Sequence, residues 1–278
     1  MKTRVGLFGI GLDTYWMQFD GLLEKLKIYQ SEISKKIKNF GVEVVDAGMV
    51  DNPLKASEAA NYLKRNDVEI VFLYVSTYAL SSTVLPVAQK LKVPIIILNL
   101  QPVAALDYNM FNKLGDRGKM TGVWLEHCQS CSVPEIAGVF NRTNISYDIV
   151  SGYLQDEKAW KEIKEWTEAA KVAKALRHHR MGILGHYYGG MLDVYTDLTR
   201  QSSFFGTHFE MLEMCELKKY RDEVTPEELN TKIAEFHTAF DVSSECDPAE
   251  IERAAYTSIA LDKLVTVHGL DSLAYYYE

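Results

Sequence analysis

Two apolar segments, VEIVFLYVS at residues 68–76 and VPIIILNLQ at residues 93–101, decide the fold class of this chain. Each is a nearly unbroken run of aliphatic and β-branched residues, which is typical of a strand covered on both faces of a parallel sheet. Such strands need helices on both sides, and strand and helix patterns alternate around these two segments. We therefore predict an α/β fold.

The alternation extends in both directions from these segments. Residues 4–9 and 42–50 are predicted strands, and residues 22–37 between them have the apolar spacing of a helix. Further along the chain, residues 147–154 are a predicted strand and residues 157–175 a charged amphipathic helix. This order predicts a doubly wound, mostly parallel sheet of the Rossmann or flavodoxin-like type.

A basic cluster, RHHR at residues 177–180, precedes a fresh strand pattern, MGILG at residues 181–185. Its two histidines are adjacent and cannot easily face one ion, so we interpret the cluster as a solvated connection. We place a domain boundary here. The predicted domains are an N-terminal α/β domain, residues 1–176, and a central α/β domain, residues 177–278, with a helix from about Met191.

The second predicted domain repeats the strand and helix rhythm. Residues 208–216 form a predicted strand. TPEE at residues 225–228 is a predicted capping box with proline at the first helical position, and DPAE at residues 247–250 repeats that pattern. A buried strand is predicted at residues 272–277. Because only Glu278 follows this strand, we expect the second domain to be incomplete at its C-terminus.

The composition excludes several classes of function. Hydrophobic residues make up 47% and charged residues 24% of the 278 residues, which is ordinary for a globular protein. The net charge of −8, without a basic stripe, predicts neither a nucleic-acid nor a membrane partner. No apolar stretch approaches the roughly 20 residues that span a bilayer. The N-terminal segment is a predicted strand and not a signal peptide, so we expect a cytoplasmic protein.

Four cysteines do not make a disulfide framework. Cys128 and Cys131 form a C-x-x-C motif, but Cys215 and Cys246 are isolated, so a structural zinc site lacks its second ligand pair. A thioredoxin-type redox pair would need the motif at the start of a helix after a strand, and Pro134 and Glu135 could open a helix just after it. Two reduced cysteines in a loop are the favoured interpretation, and redox chemistry stays open.

Ligands of open α/β sheets bind at the carboxyl ends of the strands. The predicted ends carry Asp13, Thr14, Tyr15, Ser76, Thr77, Tyr78, Asn99 and Gln101 in the first domain, and His186, Tyr187, Tyr188 and tyrosines 275–277 in the second. These groups are mostly aromatic or neutral hydrogen-bonding side chains, which suits an uncharged polyol. The equally favoured interpretation of the first loop is a tight turn, and core packing is the commoner role of each tyrosine.

No catalytic set is complete in the sequence. A dinucleotide fingerprint would need a third glycine after Gly9 and Gly11, and Thr14 occupies that position. P-loop, nucleophile-elbow and H-E-x-x-H motifs are absent from the sequence. His127 and His186 lie in predicted loops without an evident triad partner.

Three stretches resemble the L-arabinose isomerase and L-fucose isomerase family. YDIVSGYLQDEKAWKEIKEWTEAAKVAKALRHHRMGILG at residues 147–185 is similar to that family's junction between N-terminal and central domains. IIILNLQPVAALDYN at residues 95–109 resembles a family strand followed by an Ala-Ala-Leu segment, and HGLDSLAYYYE at residues 268–278 resembles a later strand with an aromatic–Glu ending. The match spans nearly the whole chain in order.

The resemblance implies substrate contacts at particular positions. Family contacts from the first loop, the third strand end and the central domain match residues of this chain, and a family histidine matches either His127 or Cys131. With the strand-end residues included, the predicted sugar-binding residues are Leu12, Asp13, Thr14, Tyr15, Tyr78, His127, His186, Tyr188 and Tyr277.

The resemblance also implies chemistry that this chain does not complete. Family members hold Mn²⁺ or a similar divalent metal with two glutamates and two histidines, and move protons through an ene-diol. All four ligands are implied to lie beyond Glu278, so we expect this chain alone to bind no metal and to be inactive. The implied assembly is a homo-oligomer, a hexamer. The leading prediction is an aldose–ketose isomerase, and the alternative is a non-catalytic sugar-binding or regulatory protein with two α/β lobes.

Overall fold

The computed structural model describes residues 2–275. The chain divides into two compact units, Met1–Val172 and Ala173–Glu278, each with a parallel sheet of its own. The division falls inside a long helix, shortly before the predicted boundary between residues 176 and 177. The predicted fold class, two α/β domains built on parallel sheets, is confirmed.

The first unit contains a five-stranded sheet in the order β2-β1-β3-β4-β5, and every neighbouring pair is parallel. The strands are β1 (Arg4–Ile10), β2 (Glu43–Val50), β3 (Ile70–Val75), β4 (Ile95–Gln101) and β5 (Tyr147–Tyr153). This is the flavodoxin-like order, whose strand sequence reverses between β1 and β3. The carboxyl ends of these two strands therefore flank the crevice where such sheets bind ligands.

Helices cover both faces of this sheet. They are α1 (Leu22–Lys38), α2 (Pro53–Arg65), α3 (Leu85–Leu91), α4 (Tyr108–Asn112), α5 (Arg117–Glu126), α6 (Gln129–Arg142) and α7 (Glu157–Arg177). All six residues of β3 are buried. Its alternate side chains pack with α2, α3 and α6 on one face and with α1 and α7 on the other. The apolar run in this strand thus has the two-sided burial that the sequence predicted.

The second unit contains a three-stranded parallel sheet in the order β7-β6-β8. Its elements are β6 (Arg180–Leu184), α8 (Leu198–Phe205), β7 (His208–Leu212), α9 (Met214–Asp222), α10 (Pro226–Ala239), α11 (Pro248–His268) and β8 (Ser272–Tyr275). A small core of leucines and one alanine from the strands, α9 and α11 holds the unit together. The predicted capping box is present, because Thr225 and Glu228 bond to each other's backbone N–H at the start of α10.

Two predictions in this unit are wrong. The helix expected from about Met191 is a loop with one 3-10 turn, and α8 begins only at Leu198, where Asp197 accepts a hydrogen bond from a backbone N–H. The strand expected at 208–216 ends at Leu212, because the residues that follow form α9. Within residues 2–275, the structure contains no helix long and apolar enough to cross a membrane.

Candidate functional site

The loop after β1 carries four of the predicted sugar-binding residues at the carboxyl edge of the first sheet. Its backbone is tied to the end of β2, since Gly11 N donates to Val50 O at 3.1 Å and Asp13 N donates to Asp51 O at 3.3 Å. Residues 13–15 form a 3-10 turn. Asp13 and Thr14 are exposed within it, whereas the flanking Leu12 and Tyr15 are half-buried. The loop therefore presents polar groups to solvent above the β1–β3 crevice.

A buried carboxylate anchors this loop. Asp51, which is 1% exposed, accepts hydrogen bonds from Trp16 Nε1 and from Lys55 Nζ, each at 2.8 Å. The ring of Trp16 lies over Gly11, where a Cβ atom would come within 2.7 Å of Trp16 Cη2. Glycine at this position is thus required by the close approach of the indole.

Two of the predicted tyrosines come together at the end of the sheet. The Tyr15 ring packs edge-on against Trp16 and Phe19, with ring centroids 6.5 Å and 5.9 Å away. Burial raises the pKa of Tyr15, and the neighbouring Tyr78 and Cys128 raise it further. Tyr78 follows β3 and remains 38% exposed. Tyr15 and Tyr78 therefore form one aromatic, partly open surface at the switch point.

The other polar residues after β3 support the backbone and do not face solvent. Ser76 Oγ donates to Ile10 O at 2.6 Å, and Thr77 Oγ1 donates to Leu125 O at 2.8 Å. Both side chains are fully buried. They join the end of β3 to β1 and α5, so their expected place among ligand-facing groups is wrong.

A chain of neutral hydrogen bonds crosses the carboxyl ends of β4 and β5. Asn99 Nδ2 donates to Ser151 Oγ at 3.0 Å, and Asn99 Oδ1 accepts from Ser130 Oγ at 3.2 Å. Gln101 Nε2 donates to Ser130 Oγ at 3.2 Å. These amides and hydroxyls are at least partly exposed and carry no charge. They are the kind of donors and acceptors that recognise hydroxyl groups.

His127 is held at the end of α5, next to the start of α6. Its Nδ1 lies 2.8 Å from Val123 O, and because a carbonyl only accepts, Nδ1 carries the proton in this bond. The side chain is half-buried. This hydrogen bond fixes the orientation of the ring and leaves Nε2 as the nitrogen without the proton.

A second buried carboxylate, Glu126, has a clearer structural role than the sequence indicated. It is 5% exposed, accepts from Lys25 Nζ at 2.7 Å, and accepts a short hydrogen bond from the Tyr29 hydroxyl. Burial raises the pKa of Tyr29, and this hydrogen bond raises it further. Sequence reasoning missed the cluster because its members are about a hundred residues apart in the chain.

The second unit presents its own loop after β6. His186 Nδ1 lies 2.7 Å from Tyr187 O, and the Tyr187 and Tyr195 rings pack with centroids 5.5 Å apart. Tyr188 is 56% exposed. The predicted contact Tyr277 lies outside the described residues. This loop is aromatic and solvent-facing, as its composition predicted.

One histidine in the described part of the chain, His268, the last residue of α11, contacts two glutamates. Its Nδ1 is 2.8 Å from Glu210 Oε1 and its Nε2 is 2.8 Å from Glu216 Oε1, while Arg180 also pairs with Glu210. Hydrogen bonds that the His268 ring donates to Glu216 and to Glu210 raise the pKa of His268. Both ring nitrogens are committed to these bonds, so the cluster is an ion-pair network. No group of three or more His, Cys, Asp or Glu side chains among the described residues is placed to hold a metal ion.

No protein-family model matches the chain, and no curated protein matches it.

Proposed function

We propose that the carboxyl edge of the first sheet binds an uncharged sugar, and that the protein is a metal-dependent aldose–ketose isomerase resembling L-arabinose isomerase. The observation that carries the proposal is the neutral hydrogen-bonding chain through Asn99, Gln101 and Ser130. Through Ser130 this chain of hydrogen bonds reaches the N-terminal end of α6, and Cys128 at the same helix end is a neighbour of Tyr15. An array of amides, hydroxyls and aromatic rings at a topological switch point suits a polyol.

The charges at this edge favour a neutral ligand. The two buried carboxylates, Asp51 and Glu126, each pair with a lysine and accept a second hydrogen bond from an aromatic side chain. Lys25 and Lys55 are thereby already paired and do not form an anion site. A phosphorylated sugar or a sugar acid is therefore a poor match for this surface, because a buried or partly buried anion requires cationic or N–H partners.

The proposal assigns the divalent metal to residues other than 2–275. When bound, such a metal polarises the carbonyl and hydroxyl oxygens of the open-chain sugar. The donor set at the described edge does not fit it, because the two buried carboxylates, Asp51 and Glu126, are tied to lysines, and a single exposed carboxylate, Asp13, stands among neutral amides and hydroxyls. The role proposed for this chain is to bind the sugar and orient it, and no proton-transfer step is assigned to residues 2–275. A cytoplasmic location and a homo-oligomeric, hexameric assembly belong to the same proposal, as does the absence of nucleic-acid and membrane partners.

The binding part of the proposal is tested by calorimetry on the purified chain with aldopentoses, aldohexoses and their alditols, in the presence of a chelator. Tyr78→Phe and Asn99→Ala each remove one neutral group that is proposed to hydrogen-bond to the sugar. Sugar binding should therefore weaken about 2- to 10-fold, equivalent to about 0.5–1.5 kcal/mol. Tyr62→Phe on α2 is the matched control, since Tyr62 is 42% exposed and Tyr78 38%. Equal affinities in all three variants would remove this edge as the sugar site.

The catalytic part requires a separate measurement. Ketose formation is followed with Mn²⁺ on the full translated product of the reading frame, using a panel of pentoses, hexoses and modified hexoses. Sugar binding without turnover of any of them would favour the alternative, a non-catalytic sugar-binding or regulatory protein. Turnover that ceases on metal removal and returns with Mn²⁺ is the result expected of the isomerase.

A further inference from the structure

The C-x-x-C motif lies at the start of helix α6 and not in the loop that the sequence favoured. Cys128 is the N-cap residue and Cys131 lies in the first turn, where its backbone N donates to Cys128 O at 3.4 Å. Residues three apart in a helix have Cα atoms about 5 Å apart, within the roughly 4.4–6.8 Å that a disulfide spans. Both thiols are free. A disulfide can therefore close here without unwinding the helix.

The two thiols differ sharply in access. Cys128 is 2% exposed, whereas Cys131 is exposed. Burial raises the pKa of Cys128, and the adjacent Cys131 raises it further. A solution reagent therefore reaches Cys131 directly, and reaches Cys128 only through Cys131. An accessible thiol next to a second, resolving thiol is an arrangement in which dithiol–disulfide exchange can proceed.

We propose that Cys128 and Cys131 are a reversible dithiol–disulfide pair that is oxidised by low-molecular-weight disulfides. The Cys131 thiolate attacks one sulfur of the small disulfide, forms a mixed disulfide and releases one thiolate. Cys128 then attacks Cys131 Sγ, its proton passes to the second leaving thiolate, and the intramolecular disulfide closes. The protein dithiol loses two electrons and two protons, and one small disulfide becomes two thiols.

The surroundings of the motif hold it in place and leave one adjustable turn. Gln129 Nε2 donates to Ser76 O at 3.0 Å, and Ser132 Oγ accepts from Ala79 N at 2.8 Å. Pro134 has no N–H to donate to the carbonyl of Ser130, so the first turn lacks one helical hydrogen bond. The turn can adjust as the sulfurs approach while its anchors to β3 persist. This proposal does not depend on a sugar ligand.

The test is a redox titration of the full chain in glutathione buffers, followed by acid quench, alkylation and peptide mass analysis. The background is Cys215→Ser with Cys246→Ser, because both of those cysteines are exposed and each stands alone in the sequence. We expect the peptide containing both remaining cysteines to lose two hydrogens in oxidising buffer and to regain them in reducing buffer. A peptide that keeps two alkylatable thiols across the titration would overturn the proposal.

Single variants test the order of attack. With Cys128→Ala, Cys131 should accumulate as a stable mixed disulfide with glutathione. With Cys131→Ser, Cys128 should stay a thiol and resist alkylation until urea is added. Near-UV circular dichroism tests whether each single variant is folded. If a variant is unfolded, the redox titration of the protein that keeps both Cys128 and Cys131 decides whether the disulfide forms. A stable mixed disulfide at Cys131 in the two-cysteine protein, without ring closure, also contradicts the proposal.

Discussion

The hydrogen bond between Trp16 and Asp51 is expected to hold the proposed substrate loop in place. In Asp51→Ala, the oxygen Oδ2 that accepts from both Trp16 Nε1 and Lys55 Nζ is removed. Leaving the partly buried indole N–H without a partner costs about 1–3 kcal/mol. Lys55 is half-exposed and can turn to water, so its loss adds only about 0.2–1 kcal/mol. We therefore expect the first unit to lose about 2 kcal/mol of stability.

The assay uses the distribution of tryptophans. All four, at positions 16, 124, 160 and 166, lie within Met1–Val172, so tryptophan fluorescence reports the unfolding of the first unit alone. Urea titrations of wild type, Asp51→Ala, Trp16→Phe and the double variant form a double-mutant cycle. The expected coupling free energy is about 1–2 kcal/mol. Lys64→Gln, at an exposed position on the same helix α2, is the control and should change stability by no more than about 0.5 kcal/mol.

A small coupling energy would refute this reasoning. Independent substitutions add to within about 0.5 kcal/mol. Coupling below that limit, with both single variants destabilised, would mean that the loop is held by packing of the indole and not by its hydrogen bond. A changed urea dependence of the unfolding free energy would instead indicate an altered unfolded or native state, and the cycle would then be repeated by thermal unfolding.

The remaining predictions concern close packing in the first unit and pH dependence in the second. Gly11→Ala brings a Cβ within 2.7 Å of the fixed Trp16 ring and should destabilise by about 1–3 kcal/mol in urea titrations. Gly138→Ala meets nothing within 4 Å in α6 and should stabilise by about 0.5–1 kcal/mol, so equal effects would contradict the packing argument. The hydrogen bonds to its two carboxylate partners raise the pKa of His268 in the folded state. The stability that they contribute to the second unit should therefore be complete below about pH 6.5, the ordinary pKa of histidine, and should be lost as the pH rises through the raised pKa of the folded state. His268→Gln should abolish this dependence in circular-dichroism urea titrations, and a persisting dependence would assign it to another group.

The central part of the fold could be predicted because local pattern and tertiary role agree there. The apolar runs in β3 and β4 are buried on both faces, so composition alone indicated their place in the sheet. Helices α3 to α5 were not predicted, because α3 and α4 are short and α5 has a weak amphipathic pattern, and for α6 the sequence indicated only a helix opened by Pro134. In α6 the helix begins at Gln129 and continues through Pro134, a residue that sequence rules place near helix starts. Because the helix begins before Pro134, the sequence did not indicate that the C-x-x-C motif lies at the start of a helix.

The candidate site was predictable to the extent that topology determines it. Tyr15 and Tyr78 follow β1 and β3, and those strands are neighbours in the flavodoxin-like order, so the two residues had to meet at one edge. The partners of each side chain were not predictable in this way. Glu126 and Tyr29 are brought together by the packing of α5 on α1, which leaves no periodic signal in the sequence.

The two buried carboxylates at this edge have the same construction. Asp51 accepts from one lysine and one indole N–H, and also from the Asn52 amide, while Glu126 accepts from one lysine and one phenol hydroxyl. In each case a cation offsets the carboxylate, and an aromatic side chain donates a further hydrogen bond.

A carboxylate held in this way is costly to disturb, because removing one partner leaves a buried charge uncompensated. Its oxygens are committed to positioning the loop after β1 and the end of α5. The groups left to meet a ligand are then the exposed carboxylate Asp13 and the neutral Tyr15, Tyr78, Asn99 and Gln101. Because these groups are neutral or anionic, the edge is expected to favour hydroxyls over phosphates, and the sugar-binding experiment measures this preference.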